Sequence, residues 1–176
     1  MTHIRRATLA AALLCIIAEG ASAHVTLETE KAPANSTYKA VLRVGHGCDG
    51  KPTTAIRVKV PEGVFAVKPM PKPGWRLVTV KGRYEKTYDN FGTPVSEGVT
   101  EVAWSGGELP DEWYDEFVFR GRLADFAPGT IVHFPVVQEC PDGAVHRWIE
   151  IPEPGKSADD YEEPAPGVTI IEKPAS

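Results

Sequence analysis

Four histidines, two cysteines and one tryptophan carry the chemistry available beyond residue 23. His24 directly follows Ala21-Ser22-Ala23, an A-x-A signature of signal-peptidase cleavage. Upstream stand Arg5 and Arg6 and a nearly continuous apolar run from Ala7 to Ala18. About a dozen apolar residues are too few to span a bilayer as a helix, so residues 1–23 read as an export signal. Cys15 does not turn it into a lipoprotein signal, because Leu14 stands where a small residue is required. A cut after Ala23 makes His24 the first residue of the mature chain. Its α-amine, with an ordinary pKa near 8, then loses its proton to a metal at neutral pH. Amine nitrogen and imidazole Nδ1 close a six-membered chelate ring, and two nitrogens at about a right angle suit tetragonal Cu(II). This is a histidine brace. The plain alternative is a histidine that happens to follow a cleavage point.

A second cluster lies in Gly45-His46-Gly47-Cys48-Asp49-Gly50. Cys48 and Cys140 are the only cysteines beyond the leader, and two cysteines in an exported chain are most simply a disulfide. Two unpaired buried thiols are the alternative. A bridge closing so long a loop stabilises the fold by about 4 kcal/mol, less any strain. It would also hold the His46 loop beside the start of the last hairpin, eight residues before Trp148. On that last strand His146, Trp148 and Glu150 share one face, and Ile149 and Ile151 share the other. The isoleucines are expected to serve the core, leaving Trp148 to line a site; the other reading makes Trp148 a buried sandwich tryptophan. His133 reads as a satisfied strand histidine, and Trp75, Trp104 and Trp113 as core or turn packing. No serine nucleophile elbow, phosphate loop or zinc-type CxxC is present.

The elements that must position these residues alternate with a period of two. Tyr38, Ala40, Leu42 and Val44 fall on one strand face, and Ile56, Val58 and Val60 on another, with Arg57 and Lys59 opposite. Trp75–Val80, Val99–Trp104, Glu116–Leu123, Ile131–Val137 and Val145–Ile151 are further strands. Pro61-Glu62-Gly63, Pro71-Lys72-Pro73-Gly74 and Pro128-Gly129 supply the turns. The pattern predicts a single antiparallel β-sandwich. From Glu153 on, Asp159, Asp160, Glu162 and Glu163 stand among Pro154, Pro164 and Pro166, the composition of a flexible acidic tail. Within it, Val168–Ile171 could add one edge strand. The expected organisation is thus a leader at 1–23, a domain at 24–152 and a tail at 153–176.

The chain holds 19 basic and 24 acidic residues, a net charge of −5. Loss of Arg5, Arg6 and Glu19 with the leader leaves it near −6. Such a surface argues against nonspecific nucleic-acid binding. There is no second apolar stretch of membrane-spanning length, so no transmembrane anchor is expected.

The start His24-Val25-Thr26, the Val60-Pro61-Glu62-Gly63 and Lys72-Pro73-Gly74-Trp75 motifs, and the late strand at Trp148 together resemble the YcnI-like family. That family consists of exported bacterial copper-binding domains. The resemblance runs from His24 to about Pro152. It implies a β-sandwich related to cupredoxin and immunoglobulin-like folds, with a Cu(II) site made of the mature N-terminal histidine, a carboxylate and a nearby tryptophan. His24 and Trp148 match two of these. Many relatives place an Asn-Glu pair after the second strand, where this chain has His46 and Gly47, with Asp49 just beyond. Either His46 or Asp49 could replace the family carboxylate. His46 is favoured, because imidazole ligates Cu(II) well and the flanking glycines permit close approach.

The implied function is periplasmic Cu(II) binding for copper trafficking or buffering. Other periplasmic copper chaperones or a copper transporter are the implied partners. Two other classes compete with it. A copper-dependent oxidative enzyme would share the brace, as polysaccharide mono-oxygenases do, but needs an open coordination position, which Trp148 could cover, and usually a flat aromatic surface, of which this sequence shows no evident stripe. An exported β-sandwich used for adhesion or scaffolding would bind no metal. Stoichiometric metal binding separates the last from the others, and copper-dependent oxygen or peroxide turnover separates the enzyme from the carrier.

Overall fold

The computed structural model describes residues 24–173. The expected leader, residues 1–23, lies outside the described residues. Two antiparallel sheets face each other. The first has the order β1 (Thr26–Leu27), β3 (Thr37–Val44), β8 (Asp115–Leu123), β5 (Val64–Pro69). The second has the order β11 (Val145–Trp148), β10 (Val136–Glu139), β4 (Thr53–Lys59), β7 (Thr93–Leu109), β6 (Arg76–Asn90). A third sheet of β2 (Lys31–Pro33), β12 (Gly167–Ile171) and β9 (Ile131–His133) closes one side. The expected all-β sandwich is the fold observed.

Alternation explains the packing. In β3 the residues Tyr38, Ala40, Leu42 and Val44 turn inward, and in β4 Ile56 and Val58 do the same. They meet Trp104, Phe117, Phe119 and Phe134 in one core shared by both sheets. Interleaving the two inner faces is what makes a sandwich stable. Trp104 is core, as expected, and its indole N–H donates to the Met70 carbonyl at 3.0 Å. Trp75 packs edge-on against Phe117 with ring centroids 4.9 Å apart. Trp113 is exposed at a turn closed by its own N–H to Pro110.

Three differences from the sequence expectation have physical causes. The two short strands expected at 75–80 and 99–104 are parts of one long hairpin, β6 and β7, of 15 and 17 residues. Its outer half is polar and hid the continuation, although Phe91 and Gly92, with φ of 53° and 82°, make the two-residue turn that joins long strands. The single strand expected over 131–137 is two, because Pro135 has no N–H to give and the chain changes sheets there.

The third difference corrects the expected boundary at residue 152 and the flexible tail. Val168 is 0% and Ile170 1% exposed. Far from being an edge, β12 is the middle strand of its sheet, parallel to β2 and antiparallel to β9. Four apolar or β-branched residues, Val168 to Ile171, outweigh the acidic composition around them by filling the gap between β2 and β9.

Candidate metal centre

His24 is placed by register. Thr26 pairs with Arg43 and Leu27 with Leu42; running that ladder two residues further sets His24 across from Gly45, beside His46. Both histidines are half-buried. The loop that carries His46 is tightly built. Cys48 and Lys51 exchange both backbone hydrogen bonds at 3.0 Å around Asp49-Gly50. The φ values of 50° and 81° at these two residues are those of a type I′ turn. Gly47 cannot be anything larger, since a Cβ there would sit 1.8 Å from the Lys51 carbonyl oxygen. Its N–H donates to the Asp111 carboxylate at 2.8 Å. The close approach that Gly47 permits is therefore of backbone to backbone, while Gly45 faces open space.

Cys48 and Cys140 are bonded, with Cα atoms 6.1 Å apart. This ties the loop after β3, in one sheet, to the end of β10, in the other. Between them lies Gln138, fully buried on β10. Its Nε2 donates to the His46 carbonyl and to Thr53 Oγ1, both at 2.7 Å. Its Oε1 accepts the Trp148 indole N–H at 3.0 Å. One amide thus sets the height of the His46 loop and the tilt of Trp148 together, with every polar atom of the group satisfied.

Trp148 is the floor of this corner. The expectation that Ile149 and Ile151 face the core is corrected: they are 44% and 58% exposed, whereas Trp148 is 4% exposed and belongs to the core. As the outer strand of its sheet, β11 turns toward the opposite sheet the face bearing His146 and Trp148. Trp148 therefore packs in the core and lines the corner at once. Its ring centroid lies 5.4 Å from that of His24, 6.2 Å from that of His46 and 5.0 Å from that of His146. His46 and His146 stand 5.7 Å apart.

Hydrogen bonding fixes two of the three imidazoles. His46 Nδ1 lies 2.6 Å from the Gly47 carbonyl oxygen, and His146 Nδ1 lies 2.7 Å from Glu163 Oε1. Neither oxygen can donate, so Nδ1 carries a proton in both rings, and Nε2 is the nitrogen that a neutral ring offers to a metal. That is the state in which a histidine ligates a metal. Among the described residues, no three His, Cys, Asp or Glu side chains already stand together as a metal cage. A brace, however, takes one donor from the main chain of His24. With Nδ1 of His24 and Nε2 of His46, an all-nitrogen set suits Cu(II).

The remaining site candidates separate cleanly. Asp49 is exposed and stands in the Asp49-Gly50 turn. His133 is the satisfied strand histidine expected, its Nδ1 lying 3.2 Å from the Ala165 carbonyl oxygen. Gln138 and Glu163 were not singled out by the sequence, and His146 was not proposed as a ligand. Alternation did place His146 on one face with Trp148, whereas Gln138 lies just past the strand expected at 131–137. Glu163 gave no signal, lying in a stretch whose composition reads as solvated.

The fold and this corner define an immunoglobulin-like β-sandwich with imidazoles and an indole gathered where edge strands of its two main sheets meet. A sequence model described as "Domain of unknown function (DUF1775)" matches residues 24–170. The chain belongs to that family, which is the YcnI-like family of the resemblance. The match also runs through β12, in keeping with a domain that extends past residue 152. A crystal structure of an uncharacterized protein from Nocardia farcinica, described as revealing an immunoglobulin-like fold, is similar at a TM-score of 0.61 and 25% identity. The likeness covers 84% of this chain and 98% of that one. Among the curated proteins, none matches the chain.

Proposed function

We propose that this protein is exported, loses residues 1–23, and binds one Cu(II) as cargo through a brace formed by the amine and Nδ1 of His24. His46 gives the third nitrogen, and Trp148 packs beside the ion. The reading places it in the periplasm as a carrier or buffer of copper, with a copper chaperone or transporter as exchange partner. It is a binding role and needs no catalytic acid or base. The observation that carries it is the meeting of His24 and His46, from one sheet, over Trp148, from the other. Every donor in the set must lose or lack a proton to bind, so affinity falls as pH drops.

The test compares the processed protein, beginning at His24, with a chain carrying one extra N-terminal residue. The processed protein should take up one Cu(II) and lose Trp148 fluorescence on doing so. The extended chain has no amine on His24, and its tight binding should disappear. Equal affinity and an unchanged electron paramagnetic resonance spectrum in the extended chain would end the brace reading.

A further inference from the structure

His146 is the imidazole that the brace leaves unused, and its surroundings are those of a ligand. Its ring stacks on Trp148 at 5.0 Å and 28°, which fixes its plane. Its Nδ1–H donates to Glu163 Oε1 at 2.7 Å, which fixes its tautomer. Glu163 is itself held. Its other carboxylate oxygen accepts the Arg147 N–H at 3.0 Å, and its own N–H donates to Glu150 Oε2 at 2.7 Å. Glu150 and Ala165 add backbone bonds on either side. A histidine whose far nitrogen bonds a carboxylate presents its near nitrogen as a more basic, better oriented metal donor.

The spacing agrees. Two imidazoles bound to one ion at about 2.0 Å have centroids about 3.1 Å from it, so they stand about 4.4 Å apart at a right angle and about 6.2 Å apart when opposed. His46 and His146 are 5.7 Å apart, inside that window. We propose that His146, oriented by Glu163, is a further ligand of the same Cu(II). This rests on the copper reading above and extends it. The ion would then join four parts of the chain: the N-terminus, the loop after β3, strand β11, and the Glu163 segment that leads into β12.

The experiment counts imidazoles. Pulsed electron paramagnetic resonance of the Cu(II)-loaded processed protein reads the remote nitrogen of each coordinated imidazole, and three are expected: His24, His46 and His146. His146→Ala should drop the count to two. Glu163→Gln should keep three but weaken affinity by about tenfold, as loss of a carboxylate behind a ligating histidine does. A count of two in the unsubstituted protein overturns the proposal, whether or not His146→Ala folds. So does a His146→Ala protein with unchanged count and affinity. The chain with one extra N-terminal residue is measured alongside. Unchanged binding there defeats the brace, whereas lost binding there with only two imidazoles in the processed protein defeats His146 alone.

Discussion

Gln138 shows how much one buried side chain decides. It meets the His46 carbonyl, the Thr53 hydroxyl and the Trp148 indole at once. Gln138→Leu keeps the volume and removes all three partners. An orphaned buried donor or acceptor costs about 1–3 kcal/mol, so the variant should lose at least about 2 kcal/mol in denaturant unfolding. Its Trp148 emission should shift as well, because the indole N–H must find another acceptor. Unchanged stability would mean that these hydrogen bonds do not form in solution. At this scale the sequence was half legible. His24, His46 and Trp148 could be picked out because their types are rare and their chemistry distinctive. Gln138 and Glu163 could not, because a polar residue acquires its role from partners distant in sequence. The faces of β11 were misread for a related reason. Isoleucine is the more usual core residue, but pairing with the buried Val136 of β10 turns Trp148 inward.

Strands with regular alternation and Pro/Gly boundaries could be found from sequence, and those in β3, β4 and β8 stand where the pattern put them. The hairpin β6–β7 and strand β12 could not be bounded, since local composition there opposes the tertiary role. The opposition is sharpest in β12. A chain ending at residue 152 removes Val168 and Ile170 from the core and leaves β2 and β9 without the strand between them. It also removes Glu163, which covers the outer edge of β11, and open edges invite pairing with other chains. Truncation at 152 should therefore abolish a cooperative thermal transition or lower its midpoint by about 10 °C, as a loss of a few kcal/mol does in a domain of this size. The chain from residue 24 through 176 is the comparison. Equal midpoints for the two would restore the picture of a domain finished at residue 152.

For the molecule as a whole, two tyrosines fasten separate parts, and both resist ionisation. The Tyr38 hydroxyl on β3 donates to the Thr29 carbonyl at 2.5 Å, securing the connection between β1 and β2. Burial, and then the charge of Glu30, push its pKa far above the usual 10. Tyr88, on the long hairpin, stacks on Phe65 of the first sheet at 4.8 Å and donates to the Glu62 carboxylate. Desolvation, and then the bond to Glu62 and its charge, raise its pKa to about 12. In the unfolded chain both phenols ionise near pH 10. The folded state thus keeps its protons where the unfolded state gives them up. The stabilisation from the raised values is complete below pH 10 and is lost as pH climbs from there through the folded values. Unfolding free energy should fall above about pH 10, chiefly through the buried Tyr38; Tyr88 is partly exposed and solvent screening reduces its share. Tyrosinate absorbance gives the check. Of the 5 tyrosines, Tyr38 should ionise last, Tyr84, Tyr88 and Tyr114 should also ionise late, and Tyr88→Phe should remove one late-titrating phenol. All five ionising together near pH 10, with the circular dichroism of the sheets intact, would show that neither phenol is held in the folded protein.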